Sequence, residues 1–404
     1  MKVLFVHQNF PGQFPHLAPE LARRGHDCLA LTDATNQRPS PIPVVRYRHQ
    51  AAAVDAAATR LGRNFTTMTD RGVTVARAAA RLRDDRGYAP DLILAHSGWG
   101  ESLFLKEIWP RARLIVYAEF YYRGIGRDIG FDPEFGAPTL DATMIAQARA
   151  AHLAQALIHS DGGLSPTHWQ ADSHPPALRR MIRVIFDGID TDALAPDPAA
   201  QVTLPDGRVL RPGDPVVTFV NRNLEPYRGW HVFARTLPAV LAGNPAAQVV
   251  IVGGDGVSYG QPPKSGGSWK DALLAELGPR LDPTRVHFLG RVPWATFAAL
   301  MRVSAAHVYL TYPFVLSWSM IEAMAAGALV LGSNTPPVAE VIEDGVNGRL
   351  IDFFDTTAWA AAILDALANP ARHLPLRQAA RATAVDRYDL RRVCLPQQLA
   401  FLGG

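Results

Sequence analysis

Two arginines flank a turn at the end of a strand-like segment, an arrangement that suits an anionic ligand. Arg222 and Arg228 lie in NRNLEPYRG, directly after the apolar run VVTFV. Two guanidinium groups at a strand end can clamp a pyrophosphate through bidentate, charge-assisted hydrogen bonds. The alternative is two solvated surface cations with Glu225 as their partner, because most charged residues are exposed. Their position at a strand end favours the clamp.

A carboxylate and a serine cap occur together in TYPFVLSWSMIEAMAAG, residues 311–327. A helix is predicted to begin near Ser317, with Ser317 or Ser319 as its cap. Its first amides would direct their positive dipole toward a phosphate. Glu322 then lies in the first or second turn, where it can accept hydrogen bonds from two vicinal hydroxyls such as those of a ribose. The alternative is a glutamate favoured by the helix dipole or paired with an arginine, but its apolar surroundings argue against a solvated face.

Glycine-containing turns follow three further strand-like segments. Gly12, in a Pro-Gly turn that opens a helix, permits close approach of the backbone to an anion, although a simple tight turn is an equal alternative. Gly254, in VGGDG, and Arg291 with Val292, in FLGRV, end two other strands. Small side chains and free amides there could lie against a base or a sugar. Both segments could equally be strand-terminating turns.

Short apolar runs alternate with helical stretches along the first half of the chain, which predicts a parallel sheet covered on both faces. The predicted strands are residues 3–7, 28–32, 92–96, 113–119 and 156–160. The predicted helices are residues 14–25, 68–84, 101–108 and 140–155.

The pattern restarts after a Pro-, Asp- and Gly-rich linker at residues 187–215. The predicted strands are residues 216–221, 248–254, 285–290, 306–311, 328–333 and 348–352. The predicted helices are residues 229–242, 269–279, 293–303, 317–326, 336–343 and 355–368. The 404 residues therefore indicate an α/β protein of two doubly wound domains. Ligands should bind at the carboxyl ends of both sheets, in a cleft where the domains face each other.

Composition excludes several classes of protein. The formal charge is +3 without a Lys/Arg block, so no nucleic-acid partner is predicted. Cys28 and Cys394 lack metal-ligand spacing and predict neither a disulfide framework nor a zinc site, which fits a reducing cytoplasm. The segment MKVLFVHQNF is predicted to be a buried first strand rather than a signal peptide. No run of about 18 apolar residues occurs, so any membrane contact would be peripheral, at the inner face.

In their order and spacing, these motifs resemble the family 4 glycosyltransferases of the GT-B fold, along nearly the whole chain. The resemblance rests on the first strand with its glycine turn, LSPTHWQ, VIFDGIDTDALAPD, NRNLEPYRG, VGGDG, FLGRV, IEAMAAG and PPVAEVIEDGVNGRLID. It implies two Rossmann-like domains and transfer of a sugar, with retention, from a UDP- or GDP-sugar to an acceptor hydroxyl. No further cofactor and no metal are expected.

The resemblance also assigns roles to residues. Arg222 and Arg228 match the basic pair that grips the donor diphosphate, with Arg228 where the family usually has Lys. Glu322 matches the second acid of the Glu-x7-Glu motif, which holds the ribose. Gly12 matches a loop near the diphosphate. Further donor contacts fall on Gly254, Arg291, Val292, Phe314, Leu316, Ser317, Trp318 and Ser319.

Two departures from the family pattern concern the reaction centre. Phe314 occupies the position of the first acid, which normally binds sugar hydroxyls, so the sugar must be held by other groups such as Ser317 or the amides. Where many members have a histidine after the strand at 113–119, the nearest polar candidate is Glu119, which we expect on the acceptor side as a catalytic group. His96, Tyr121 and Tyr122 are further acceptor-side candidates.

The predicted domains are residues 1–195 for the acceptor, 196–385 for the nucleotide sugar, and a helix at 386–404 that crosses back. The expected acceptor is a glycan, a lipid-linked sugar or a protein, with contacts from residues 35–65 and 120–140, while 255–270 is a lid or a surface insertion. The alternatives are a sugar-nucleotide epimerase, a phosphorylase without an evident cofactor lysine, and a non-enzymatic two-domain ligand-binding protein.

Overall fold

The computed structural model describes residues 1–51 and 61–403 and divides into two compact units. Unit 1 consists of Met1–Asp187 and Cys394–Gly404, and unit 2 of Gly188–Val393. Residues 52–60, which belong to the predicted acceptor segment 35–65, lie outside the described residues.

Unit 1 contains a seven-stranded parallel sheet with strand order β3-β2-β1-β4-β5-β6-β7. Its strands are β1 Lys2–Val6, β2 Asp27–Asp33, β3 Val44–Tyr47, β4 Leu92–His96, β5 Arg113–Tyr117, β6 Gly162–Ser165 and β7 Ile182–Val184. Successive β1 side chains point to opposite faces: Leu4 and Val6 join one buried cluster, and Val3 and Phe5 join the other. The sheet therefore has a hydrophobic core on each face.

Helices cover both faces of this sheet. They are α1 Leu17–Arg23, α2 Gly62–Arg86, α3 Leu105–Ile108, α4 Leu140–Arg149, α5 Ala151–Ile158, α6 His168–Ala171 and α7 Pro176–Arg179. Buried apolar residues of α2 lie at intervals of three and four, at Val75, Ala79 and Leu82, as the helical period requires.

Unit 2 repeats the architecture with a six-stranded parallel sheet of order β12-β11-β10-β13-β14-β15. An antiparallel pair, β8 Val202–Thr203 and β9 Val209–Leu210, precedes it within the predicted linker. The sheet strands are β10 Val216–Asn223, β11 Gln248–Gly254, β12 Val286–Gly290, β13 Ala306–Tyr309, β14 Leu329–Ser333 and β15 Arg349–Ile351.

The helices of unit 2 alternate with these strands. They are α8 Trp230–Gly243, α9 Trp269–Leu277, α10 Trp294–Val303, α11 Trp318–Ala325, α12 Pro336–Ala339, α13 Thr356–Ala368 and α14 Leu374–Tyr388. A last helix, α15 Leu395–Leu402, belongs to unit 1. It buries Leu399 and Leu402 in the unit 1 core, and the Arg113 guanidinium donates to the carbonyl oxygens of Phe401 and Leu402.

The doubly wound prediction is confirmed, but one predicted strand is wrong. Residues 156–158 are the last residues of helix α5, 159–160 form the turn that follows it, and the next strand is β6, GGLS. An apolar, Ala-rich run suits a buried helix as well as a buried strand, and only its length and neighbours separate the two. Strands β3 and β7 were not predicted. Among the described residues, no helix is both long and apolar enough to cross a bilayer.

Candidate functional site

In each unit the strand order reverses between two central strands, β1 and β4 in unit 1 and β10 and β13 in unit 2. Ligands of doubly wound sheets bind outside the carboxyl ends of strands at such a switch point. The predicted site residues follow these strands. His96 ends β4, and Gly12 lies in the turn after β1. Arg222 is the last residue but one of β10, and Ser317 lies in the segment after β13.

Arg228 is buried at the switch point of unit 2, and its guanidinium connects β10 to the segment after β13. It donates to Thr311 Oγ1 at 2.8 Å and to the Val315 carbonyl oxygen at 2.9 Å. The guanidinium carbon lies 5.1 Å from the centre of the Tyr259 ring. These contacts hold the cation in one position, so that it could bind an anion such as a diphosphate without rearranging.

Arg222 differs from Arg228 because it is exposed. Its guanidinium has no hydrogen bond or ion pair to any described residue. Gly254 packs tightly beside the same strand: a Cβ there would lie 2.7 Å from Asn223 Oδ1 and 3.3 Å from Arg291 Nε. Arg291 is exposed and Val292 is half-buried. The structure therefore brings Gly254 and Arg291 together next to the end of β10.

Ser317 caps helix α11, which confirms the predicted helix start. Its hydroxyl accepts from the Ser319 amide at 3.4 Å. The Ser317 amide itself donates to the Tyr309 hydroxyl at 2.8 Å, so it has a partner within unit 2. Ser319 and Leu316 are buried, whereas Trp318 is half-buried.

Glu322 lies in the second turn of α11 and is largely shielded from solvent. Desolvation raises the pKa of its carboxyl group to about 7. Burying a charge in apolar surroundings is unfavourable, which is why the carboxyl group holds its proton to higher pH. Carboxyl groups with raised pKa values are common at functional sites. The apolar helix that drew attention to this residue is therefore also the cause of its altered pKa.

Phe314 is buried in a group of aromatic rings rather than facing solvent. Its ring lies 4.9 Å from that of Tyr259 and 5.7 Å from that of Tyr227, both in edge-to-face geometry. Tyr227 in turn lies 4.8 Å from Tyr312. An aromatic wall thus stands where the family pattern has its first acid.

In unit 1, three polar side chains form a directed chain of hydrogen bonds that ends at Glu119. The Asn9 amide donates to His7 Nδ1 at 2.9 Å, so neutral His7 carries its proton on Nε2. That nitrogen lies 2.8 Å from Gln13 Oε1, and Gln13 Nε2 donates to Glu119 Oε1 at 3.2 Å. Burial lowers the pKa of His7 to about 4, so the ring is neutral at pH 7. The chain orients the Glu119 carboxylate.

His96 lies on the other side of that carboxylate. Its Nδ1 accepts from the Gly98 amide at 2.9 Å, which places the proton on Nε2, 3.8 Å from Glu119 Oε2. Burial lowers the pKa of His96 well below its ordinary value, and His7 lowers it further when that ring is protonated. The ring stacks on Trp99 with a centroid distance of 4.2 Å. The structure thus brings together His96 and Glu119, two of the predicted acceptor-side residues.

Tyr121 and Tyr122 are half-buried and have ring partners in unit 1. Tyr121 lies 5.4 Å from the His174 ring, and its backbone amide donates to the Ser173 hydroxyl. The Arg149 guanidinium lies 4.3 Å from the centre of the Tyr122 ring.

Sequence reasoning missed several residues that build these sites. In unit 1 they are His7, Gln13 and Trp99. In unit 2 they are Glu225, Tyr259, Tyr309 and Thr311. Gln13 had a usable signal, since it directly follows the Pro-Gly turn. The contacts of Tyr259 join segments distant in sequence and left no local pattern.

Comparison with known proteins identifies the family. A family model described as "Glycosyl transferase family 4 group" matches residues 24–194, and one described as "Glycosyl transferases group 1" matches residues 204–384. The chain belongs to the family 4 glycosyltransferases. Its two doubly wound units are those of the GT-B fold.

Curated relatives match this chain over part of its length. It is 30% identical over 226 residues to the D-inositol 3-phosphate glycosyltransferase of Rhodococcus opacus, covering 54% of the chain and 48% of the relative. It is 32% identical over 211 residues to the phosphatidyl-myo-inositol mannosyltransferase of Mycolicibacterium smegmatis, covering 51% and 47%. The match therefore spans about half the length of these relatives.

Solved structures match this chain over nearly its whole length. HepE of Anabaena in complex with UDP-glucose gives a TM-score of 0.68 at 19% identity, covering 99% of this chain and 98% of HepE. Sucrose-phosphate synthase of Thermosynechococcus elongatus gives 0.71 at 18% identity with the same coverage. At this identity the likeness shows the fold. These matches give no support to the epimerase alternative.

Proposed function

We propose that this chain is a retaining, metal-independent glycosyltransferase that moves a sugar from a nucleoside diphosphate to an acceptor hydroxyl in glycoconjugate synthesis. The observation that carries the proposal is the grouping at the switch point of unit 2. There, an arginine fixed by hydrogen bonds, the capped N-terminus of α11 and the half-buried, desolvated Glu322 in the second turn of that helix occur together. These groups complement a diphosphate and a ribose.

The donor is bound by unit 2 in this proposal. Arg228, fixed by Thr311 and Val315, and the exposed Arg222 interact with the diphosphate. Glu322 accepts hydrogen bonds from the two ribose hydroxyls, and Arg291 with Val292 lies beside the base. Complexes of HepE contain UDP, UDP-glucose, or UDP and glucose, which leads us to favour UDP over GDP.

Catalysis in this proposal is mainly electrostatic. The bond between the anomeric carbon and the leaving phosphate oxygen breaks, and negative charge develops on the diphosphate. Arg222, Arg228 and the amides of α11 stabilise that charge without reorganising. The acceptor oxygen bonds to the same face of the anomeric carbon, and its proton passes to the leaving phosphate. No protein nucleophile and no metal ion takes part.

The acceptor hydroxyl is bound by unit 1 in this proposal, with Glu119 as the group that accepts its hydrogen bond. Gln13 and His7 hold the carboxylate in orientation. The named relatives act on an inositol phosphate and a phosphatidylinositol, so a polyol or lipid-linked acceptor is our first candidate, before a protein. A lipid-linked acceptor would require peripheral contact with a membrane.

Thermal shift with a panel of UDP, GDP and their sugar derivatives tests the donor site. We expect one base to raise the melting temperature, and Arg222→Ala and Glu322→Ala to remove most of that shift. Arg349→Ala is the matched control, because Arg349 forms an exposed ion pair with Asp344 in the same unit. Hydrolysis or transfer should persist in EDTA, with the product keeping its anomeric configuration. If no nucleotide stabilises the protein, the proposal is wrong.

A further inference from the structure

The segment Ser258–Gly260 is anchored by a carboxylate that has no access to solvent. Glu225 is 0% exposed, and it accepts three backbone N–H groups. Its Oε1 accepts from Ser258 at 3.1 Å, and its Oε2 accepts from Tyr259 at 3.1 Å and Gly260 at 3.0 Å. Hydrogen bonds to a charged acceptor are about twice as strong as neutral ones.

Two further contacts hold the same segment. Asn223 Nδ2 donates to the Ser258 hydroxyl at 2.7 Å. A Cβ on Gly260 would lie 3.3 Å from the Tyr227 ring and 3.6 Å from Glu225 Oε2, so the backbone passes directly against both. Residues 258–260 are therefore anchored to unit 2, and the two alternatives for residues 255–270, a lid or a surface insertion, stay predictions.

The anchor determines where Tyr259 lies. Its half-buried ring is 4.9 Å from Phe314 and 6.4 Å from Tyr227, and the Arg228 guanidinium carbon is 5.1 Å from the ring centre. Tyr259 is therefore packed on one side against the aromatic wall and on another against the cation assigned to the diphosphate. A diphosphate carries a nucleoside at one end and a sugar at the other, and the contact of Tyr259 with Phe314, at the position of the family's sugar-binding acid, favours the sugar end.

We propose that Tyr259 is a specificity-determining residue for the donor sugar, and that Glu225 is the positioning residue that holds it there. The inference rests on the proposed donor site. Phe314 offers no hydrogen-bonding group, whereas Tyr259 has a ring face and a hydroxyl that accepts from Arg228 and can still donate its own proton. Sugar discrimination thus comes from a tyrosine of the anchored segment instead of a carboxylate at position 314, in the segment after β13.

Calorimetric titration of the full chain distinguishes the contribution of the sugar to the binding affinity from that of the nucleotide. UDP and GDP first identify the base, and glucose, galactose and N-acetylglucosamine derivatives of that base then follow. Because Tyr259 also packs against Arg228, its loss should weaken the nucleoside diphosphate as well. We expect Tyr259→Ala to weaken the preferred sugar nucleotide about tenfold more than it weakens the nucleoside diphosphate alone, the loss of roughly one hydrogen bond with its ring packing. Tyr259→Phe should recover part of the loss if the ring and the hydroxyl both contribute.

Two further variants test whether Glu225 acts by holding the segment Ser258–Gly260. Glu225→Gln replaces one acceptor oxygen with a donor facing N–H groups, so the segment is released and discrimination between sugars should fall as in Tyr259→Ala. Asp255→Asn is the matched control, because it removes only the exposed ion pair with Lys270, at 3.0 Å. It should leave every dissociation constant unchanged.

The results distinguish the inference from the proposed function. If sugar nucleotides and the bare diphosphate weaken in parallel in Tyr259→Ala, or if both are unaffected, Tyr259 has no role in specificity although the donor site stands. If the wild-type chain binds no nucleoside diphosphate, the proposed function fails and this inference fails with it. Should Glu225→Gln not fold, the Tyr259 variants decide the question alone.

Discussion

Glu322 carries a thermodynamic cost that its environment does not offset in the unliganded chain. Desolvation raises its carboxyl pKa from 4.5 to about 7, so the folded chain holds this proton more tightly than the unfolded chain does. The native state therefore binds more protons between these two values, and stability falls as pH rises through them. Such a cost is expected at a site kept for binding.

We predict that Glu322→Gln stabilises the unliganded chain at high pH only. Below pH 4.5 the difference in free energy of unfolding between the variant and the wild type should not change with pH. By pH 8 this difference should have shifted in favour of the variant by up to about 3 kcal/mol. Urea unfolding at a series of pH values measures the difference, in which the other titrating groups cancel. A difference that does not change with pH would refute the assignment.

Glu276→Gln is a control of opposite sign. Hydrogen bonding to Arg235 lowers the pKa of Glu276, so this carboxylate contributes stability above its unfolded pKa and loses it as pH falls through its folded pKa. The variant should be less stable than the wild type at neutral pH, and the two should converge in acid.

We also predict that sugar-nucleotide affinity depends on pH through Glu322. If the carboxylate form accepts the ribose hydroxyls, binding should tighten up to about tenfold from pH 6 to pH 8 as a group of pKa about 7 ionises. Calorimetry with a sugar nucleotide is preferable to the bare diphosphate, whose terminal phosphate titrates near pH 6. Glu322→Gln should remove the dependence. An identical slope in both proteins would assign it to another group.

At the residue scale, sequence reasoning found what local pattern can reveal. Glu322 was identified because a charge is unusual inside an apolar helix. Arg222 and Arg228 were identified by their position at the end of a predicted strand. Glu225 was assigned only as a partner for those arginines, but its carboxylate binds the amides of residues 258–260 instead. That contact spans more than 30 residues, so no local spacing could predict it.

At the scale of elements, the turn between β1 and α1 is shaped by the ring of His7. Gly12 has a φ of +52°, which disfavours any residue with a Cβ, and a Cβ there would lie 2.3 Å from His7 Nε2. That nitrogen is the one paired with Gln13. The glycine is therefore required for the orientation of Glu119 as well as for the turn.

We predict that Gly12→Ala costs more stability than Gly25→Ala. Gly25 also has a positive φ, +85°, but nothing lies within 4 Å of its Cβ position. The control should cost about 1 kcal/mol for the left-handed backbone alone, and Gly12→Ala about 2–3 kcal/mol with the added displacement of His7. Urea unfolding measures both. Equal costs would show that the close approach to His7 is easily relieved.

Elements were predicted best where burial alone decides them. All six strands of the unit 2 sheet were predicted to within two residues at each end, because each is a short, apolar-rich run between helical or turn segments. Helix α5 was mistaken in part for a strand, and β6 was missed because its sequence, GGLS, has a low β-propensity. Pairing with β5 and β7 stabilises it as a strand, and sequence pattern does not report that tertiary effect.

At the scale of the whole molecule, each unit takes its stability from its own core, and unit 1 completes that core with residues from both ends of the chain. Leu402 of α15 is 3% exposed and belongs to the same buried cluster as Leu17 and Leu21 of α1. The carbonyl oxygens of Phe401 and Leu402 accept from Arg113, at the start of β5. A defect in α15 should therefore act on unit 1.

We predict that Leu402→Ala destabilises unit 1 selectively. Truncating a buried leucine costs about 2–5 kcal/mol, whereas Leu374→Ala, at a position 50% exposed in unit 2, should stay within about 0.5 kcal/mol. Hydrogen exchange read by mass spectrometry localises the effect: peptides from α1 and β5 should exchange faster in Leu402→Ala, and peptides from β10 and β13 should keep their wild-type rates. Uniform acceleration in both units would mean that the chain unfolds as one cooperative body, and α15 could not then be assigned to the stability of unit 1 alone.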